Sequence, residues 1–262
     1  MKINDFKLKK NNSKISMITC YDYLSACIVS ESNIDGVLVG DSVSMVMYGY
    51  PNTTMTTIDM ITSHTKAVYK GIKNKFIISD LPFLGYCSSL SNTIKNVKKI
   101  IQSGAQAIKI EGGNDHIYKT INFLVNIGIP IMGHIGLTPQ SIYKLGGYTI
   151  QGTTKEEQNK IIHQAKNLES SGCFSILIEC VPESLAKIIT KSIKIPTIGI
   201  GAGPNTDGQI LVWHDLLGIQ TKLKPKFLKQ YTKIKNIILN SINTYNKEVK
   251  ENKFPTIEYT YQ

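Results

Sequence analysis

Four carboxylates and one lysine stand where short apolar runs stop. Val37-Leu38-Val39-Gly40 leads into Asp41 and Ser42, Phe76-Ile77-Ile78-Ser79 into Asp80, and Ala107-Ile108 into Lys109, Ile110 and Glu111. A fourth run, Ser175-Ile176-Leu177-Ile178, leads into Glu179. Three acids that converge with no arginine anywhere in the chain stay ionised only around a cation. Oxygen-only ligands suit magnesium better than zinc, so Asp41, Asp80 and Glu111 are the candidate metal ligands. Lys109 lies two residues before Glu111, which puts both side chains on one side of a strand. A lysine in that place could form a Schiff base or steady a developing oxyanion. Glu179, directly after a wholly apolar stretch, is the candidate general base. His134 closes the run Ile131-Met132-Gly133; alone it reads equally as a hydrogen-bonded core histidine and as a site residue. His64, His116 and His163 read as structural or exposed.

These residues need a scaffold that brings strand ends together. Apolar runs of four or five residues are the pattern of strands buried on both faces, as in a parallel sheet. Eight can be placed: Ile15–Thr19, 37–41, 76–80, 107–111, 131–134, 175–179, 197–200 and 210–212. Helical stretches fall between them. One runs through His64 to Lys70 and stops at Gly71. Another carries Ile94, Val97, Ile100 and Ile101 at helical spacing, with Ser91 as its N-cap and Gly104 as its stop. Further helices span Asp115 to Asn126 and Lys155 to Ser171; Pro182 suits the first turn of the next, and an amphipathic helix and tail follow from Pro225 to about Glu248. The segment from Ser42 to Thr57 is longer than a usual βα connection and is a candidate binding loop. The count predicts an α/β protein, a (β/α)8 TIM barrel over residues 1–262 as a single domain, with the acids at its carboxyl-end mouth. Gly199-x-Gly201-x-Gly203, after the seventh strand, reads either as a phosphate-binding corner or as a tight turn.

At 262 residues the chain has the typical length of such a barrel. No apolar run approaches the roughly 20 residues of a membrane span, and no basic-then-apolar leader opens the chain. A soluble, cytoplasmic protein with no membrane partner is expected. Five scattered cysteines without a C-x-x-C pair suit reduced thiols. The formal charge is +11, but every basic residue is lysine, and arginine is the usual tool for reading bases and phosphates. The lysines are spread along the chain, densest from Lys222 to Lys253, so nucleic acid is not expected as a partner.

The ordered motifs Thr19-Cys20-Tyr21-Asp22, Val39-Gly40-Asp41-Ser42, Asp80-Leu81-Pro82-Phe83, Lys109-Ile110-Glu111-Gly112-Gly113 and Gly133-His134-Ile135-Gly136-Leu137-Thr138-Pro139-Gln140 resemble the ketopantoate hydroxymethyltransferases. So do Gly146-Gly147-Tyr148, Gln151-Gly152, Glu179-Cys180-Val181-Pro182, Gly199 to Gly203, Thr206-Asp207-Gly208-Gln209 and Pro225-Lys226-Phe227. The resemblance implies a barrel of the phosphoenolpyruvate/pyruvate superfamily that binds Mg2+ through Asp41, Asp80 and Glu111. It implies that 3-methyl-2-oxobutanoate is held by Asp41, Ser42, Asp80 and Lys109, to which we add His134, with Glu179 as proton acceptor. It also implies 5,10-methylenetetrahydrofolate as one-carbon donor and assembly as a homodecamer. Thr153 and Lys70 stand where the family usually has a basic residue and an arginine; both lie outside the acid cluster. The rival readings are a folate-independent, magnesium-dependent 2-oxo acid lyase or aldolase, and a barrel without catalysis kept as an assembly partner.

Overall fold

Eight strands, each a short buried run, pair side by side and all point the same way. They are β1 (Ile15–Thr19), β2 (Gly36–Val39), β3 (Phe76–Asp80), β4 (Ala107–Glu111), β5 (Ile131–Gly136), β6 (Ser175–Glu179), β7 (Thr197–Ile200) and β8 (Gly208–Leu211). The sheet closes on itself, with β8 beside β1 and Met17 opposite Ile210. This is the expected barrel, seen in a computed structural model that describes residues 3–219 and 225–262. The helices are α1 (Ile3–Lys9), α2 (Tyr23–Glu31), α3 (Val43–Val46), α4 (Ile58–Gly71), α5 (Leu90–Gln102), α6 (Asp115–Asn126), α7 (Ile142–Leu145), α8 (Lys155–Ser170), α9 (Glu183–Ser192), α10 (Trp213–Leu216) and α11 (Ile234–Lys250).

Period-two alternation sorts each strand into two cores. In β4, Ile108 and Ile110 belong to the layer packed under the helices, with Ile121, Leu124 and Ile131. Ala107 belongs to the other core, inside the barrel, with Ile78, Met132, Leu177 and Ile198. At the amino end that inner core is finished by aromatics. Phe6 of α1 is fully buried and its ring lies 5.4 Å from Phe76 and 5.8 Å from Phe174, the latter edge-on. Lys10, just past α1, pairs with Asp207 at 2.8 Å and fastens the amino-terminal arm to the start of β8.

Several local expectations change. The N-cap of α5 is Ser89, whose hydroxyl accepts from the Asn92 N–H at 3.2 Å, so Ser91 lies inside the helix. Asp41 lies two residues beyond β2, in the turn that opens α3, where a Cβ on the preceding Gly40 would stand 2.9 Å from Ser42 Oγ. No helix joins β7 to β8; residues 201–207 turn straight back. Gly201 and Gly203 have φ of +64° and +75°, and a Cβ at Gly203 would stand 2.6 Å from Glu183 Cγ. The glycine corner forms this tight connection, and no helix follows it before β8. The last strand begins at Gly208, two residues earlier than expected.

The span expected to form one domain contains two compact units, Met1–Val212 and Trp213–Gln262. The barrel and every candidate residue lie in the first. In the second, Tyr231 and Ile234 donate their N–H groups to Leu216 and Leu217 carbonyls. The long helix α11 starts at Ile234 rather than Pro225, and its Tyr245 packs against Phe254, which in turn meets Tyr259, in the segment after it. Lys222, the start of the lysine-rich stretch, lies outside the described residues. The five cysteines are free thiols.

Candidate active site

The inward positions at the carboxyl ends of β3 to β6 are polar, and they meet. In register, Asp80 lies opposite Lys109, and Glu111 opposite His134. Lys109 Nζ is 3.2 Å from Asp80 Oδ1, 3.4 Å from Glu111 Oε1 and 3.2 Å from His134 Nδ1. All four side chains are almost wholly buried. His134 Nδ1 is also 3.2 Å from Glu111 Oε1, and its Nε2 is 3.3 Å from Glu179 Oε2. Glu179 stands two strands from Glu111, with one imidazole between them, and it is the more exposed of the two.

Asp41 completes the group from the β2 loop. Its backbone N–H donates to Asp80 Oδ2 at 2.8 Å, and its carbonyl accepts from Thr56 Oγ1 and Ser44 Oγ, so the candidate binding loop is what fixes it. Ser42 Oγ is 2.7 Å from the Tyr21 hydroxyl. Gly136 ties down the base: at φ +88°, its missing Cβ leaves room for the Glu179 carbonyl, which accepts from the Leu137 N–H at 2.8 Å. Cys180, the residue after Glu179, takes a left-handed φ of +48°, a conformation that non-glycine residues adopt mainly where surrounding structure imposes it.

The electrostatics follow from crowding. Burial, then Asp80 and Glu111, push the Asp41 carboxyl well above the usual carboxylate range, against Lys109 and Gln140. Burial also raises Asp80, opposed by Lys109. For Glu111 burial acts upward but Lys109 and His134 outweigh it, so its pKa falls. Burial alone would lower Lys109, yet Asp80, Glu111 and Asp41 raise it. His134 is pushed down by burial and Lys109, and Glu111 and Glu179 bring it up to about 9. One lysine thus does not neutralise three acids, and Asp41 carries the imbalance.

Among the described residues, buried Asp80 Oδ1 and His134 Nε2 make ion-pair contacts, to Lys109 and Glu179, that lack the alignment of a hydrogen bond. No three acids, histidines or cysteines among those residues stand close enough as they are to hold an ion; Lys109 is the positive charge between them. Three other histidines make hydrogen bonds away from the acids. His64 bonds the Tyr21 carbonyl and the Tyr48 hydroxyl, His116 the Tyr86 carbonyl, and His163 the Asn167 amide. Sequence reasoning quoted Gln140 and Tyr21 only as parts of motifs, and passed over Tyr86. Gln140 Nε2 donates to Asp41 Oδ2 at 2.8 Å and Tyr86 donates to Gln140 Oε1 at 2.9 Å. The available signal was an uncharged polar residue straight after Pro139 in a loop leaving a strand.

A closed parallel barrel with acids, lysine and histidine at the carboxyl mouth defines an α/β-barrel enzyme scaffold, and solved structures share it. Phosphonopyruvate hydrolase, in complex with oxalate and Mg++, superposes with a TM-score of 0.64 at 11% identity, over 100% of this chain and 92% of that one. For 2,3-dimethylmalate lyase, a member of the PEP mutase/isocitrate lyase superfamily, the TM-score is 0.62 at 12% identity, over 99% and 91%. At such identities the likeness is one of fold. In sequence, the model of the ketopantoate hydroxymethyltransferase family matches residues 1–257, and the chain belongs to that family. It is 58% identical over 262 residues, 100% of both chains, to the 3-methyl-2-oxobutanoate hydroxymethyltransferase of Legionella pneumophila (strain Lens). It is 49% identical over 259 residues, 98% of this chain and 97% of the relative, to the enzyme of the same name from Coxiella burnetii (strain CbuK_Q154).

Proposed function

We propose that this chain transfers a hydroxymethyl group from 5,10-methylenetetrahydrofolate to 3-methyl-2-oxobutanoate, giving 2-dehydropantoate for pantothenate synthesis. What carries the reading is end-to-end identity with relatives of that name, joined to a base, a lysine and three acids at one barrel mouth.

The residues fit a hard divalent cation. The donors are all oxygen, Asp80 Oδ1 is a buried oxygen whose contact with Lys109 lacks hydrogen-bond alignment, and Asp41 is pressed by two other acids. Asp41, Asp80 and Glu111 would hold magnesium. Its contribution when bound is Lewis-acid polarisation of the oxo acid's carbonyl. The chain's own groups supply the rest. Lys109 and Ser42 orient the oxo acid, and Lys109 faces the charge that develops on the keto oxygen. Glu179 takes the C3 proton, with His134 Nε2 set beside its Oε2. Water adds to the methylene of the folate and tetrahydrofolate leaves as its N–CH2 bonds break, giving a one-carbon unit at the formaldehyde level; the C3 carbon forms its new bond to that carbon, and the proton taken by Glu179 ends on the new hydroxyl oxygen. Because Lys109 acts as a charge, borohydride with the oxo acid should leave the protein's mass unchanged; an adduct on Lys109 would move the chain to the Schiff-base aldolases.

The test is release of 2-dehydropantoate from 3-methyl-2-oxobutanoate and methylenetetrahydrofolate, with and without EDTA. Turnover of the oxo acid alone, without folate, would favour the lyase reading; turnover in verified metal-free protein would remove magnesium. We also propose self-association, up to the expected homodecamer, in the cytoplasm. Support comes from apolar side chains left open on two helices, Tyr23, Leu24 and Ile28 on α2 and Ile238, Ile242 and Tyr245 on α11. Among the described residues no helix is long and apolar enough to cross a membrane. Light scattering on purified protein measures the assembly.

A further inference from the structure

Gln140 takes no part in the steps above, yet it touches two of the three acids and the residue after the third. It lies in the 3-10 turn Pro139–Ser141 that follows β5, where a backbone N–H has no partner within the turn. That N–H donates to Glu111 Oε2 at 3.0 Å. The side-chain amide donates to Asp41 Oδ2 at 2.8 Å and to the Leu81 carbonyl at 3.1 Å. Both of those groups are acceptors, so the amide nitrogen must face them and the amide oxygen must face away. There it meets the Tyr86 hydroxyl, 2.9 Å distant, and the same hydroxyl is 3.2 Å from the Glu111 carbonyl. Gln140 and Tyr86 are both buried.

We propose that Gln140 is the positioning residue of the acid cradle: its N–H groups set the Asp41 and Glu111 carboxylates, and Tyr86 sets its amide. The proposal rests on the magnesium reading of that cradle. Three acids in a dry mouth repel one another, and a carboxylate held by nothing rotates away from its neighbours. Donors on one oxygen of each acid oppose that rotation. Asp80 has the Asp41 N–H for this, and Asp41 and Glu111 both have Gln140. The donor must also be neutral. A lysine or arginine in its place would cancel the charge that attracts the ion, whereas an amide orients the acids and leaves their charge intact. Outer hydrogen-bond partners of metal ligands act in this way in general.

The probe is Mn2+, titrated calorimetrically into the purified protein without substrate. Gln140→Met keeps the side chain's length and the backbone N–H but removes the amide. Mn2+ affinity should fall roughly 10- to 100-fold, the usual cost of losing such a partner. Activity lost at low Mg2+ should return at high Mg2+, a rescue that a merely structural role would not give. Tyr86→Phe removes a single hydroxyl, and the affinity should fall roughly 2- to 10-fold, the worth of one hydrogen bond. This variant decides the matter if Gln140→Met does not fold. Should the parent bind Mn2+ and the folded variants bind it equally well, the positioning role is overturned and the metal site stands. Should the parent bind no Mn2+, the metal reading falls and takes this proposal with it.

Discussion

The barrel buries a lysine–aspartate pair at each end, and the two are built differently. At the amino end Lys10 meets Asp207 at 2.8 Å, and every contact around them is a partner of opposite kind. Lys10 also donates to the Thr190 carbonyl, and Asp207 Oδ2 accepts from the N–H and the hydroxyl of Thr197. At the carboxyl end Lys109 meets Asp80 Oδ1 at 3.2 Å, an ion pair outside hydrogen-bond alignment, and Asp41, Glu111 and His134 crowd in. The first pair is satisfied and holds the closure of β7, β8 and the amino-terminal arm together. The second is frustrated, and a buried polar group left short of partners is a cost that a fold retains for chemistry. The same strands run between the two ends, so stability and reactivity are assigned by depth along the barrel.

The largest expected effect breaks the reactive end without touching the other. In D2O with Mg2+, the parent should exchange the C3 hydrogen of 3-methyl-2-oxobutanoate for deuterium without any folate. Glu179→Gln keeps shape and hydrogen bonding but loses the basic oxygen, so exchange should slow by roughly 10²–10⁴-fold. Affinity for the oxo acid should change little, since Lys109 and Ser42 are intact. NMR follows loss of the C3 proton signal directly, and an unchanged rate would remove Glu179 as the base.

The two lysines make a crossed pair of tests. Lys10→Met leaves Asp207 buried without its cation, which should cost about 3–5 kcal/mol of stability, read by urea unfolding. The turnover of the molecules that remain folded should match the parent. Lys109→Met should lower turnover by roughly 10²–10³-fold, the cost of losing one group that faces developing charge. Its unfolding should change less than that of Lys10→Met, because the neighbouring acids can take up protons where Asp41 is already raised. If both variants lose stability and activity together, the division by depth is wrong.

The reactive end was legible in the sequence because its signals are local. An apolar run that stops at an acid announces a buried strand and its outlet, and two-residue spacing put Lys109 and Glu111 on one side of β4. What the sequence hid depends on contacts between distant segments. Gln140 reaches Asp41 across 99 positions, and no spacing rule connects them. The imidazole between Glu111 and Glu179 needed the register of β4, β5 and β6. The glycine corner was ambiguous because a tight crossover and a phosphate loop ask for the same residues; the tight crossover, with Gly203 packed against Glu183, needed the tertiary structure to be seen. Phe6 reads in the sequence as part of a polar arm, and only barrel closure shows it as the floor of the inner core.

The smallest expected effect sharpens the comparison at a helix entrance on the reactive side. The segment Ser88-Ser89-Leu90-Ser91-Asn92-Thr93 offers several residues able to cap α5, and the apolar spacing alone points to Ser91. The backbone decides otherwise: Ser89 is extended, at φ −159° and ψ 156°, and its hydroxyl takes the Asn92 N–H. A cap is worth about 1 kcal/mol when replaced by alanine, because one helix-end N–H then loses its acceptor. Ser91 is exposed and already helical, where alanine is favoured over serine by a few tenths of a kcal/mol, so its removal should be neutral or slightly stabilising. Ser89→Ala should therefore lower the unfolding free energy by about 1 kcal/mol while Ser91→Ala does not. Neither should change C3 exchange, since α5 reaches the site only through the β3 loop before it. Equal losses in the two variants would return the cap to Ser91, and slower exchange in Ser89→Ala would mean that this helix entrance belongs to the chemistry after all.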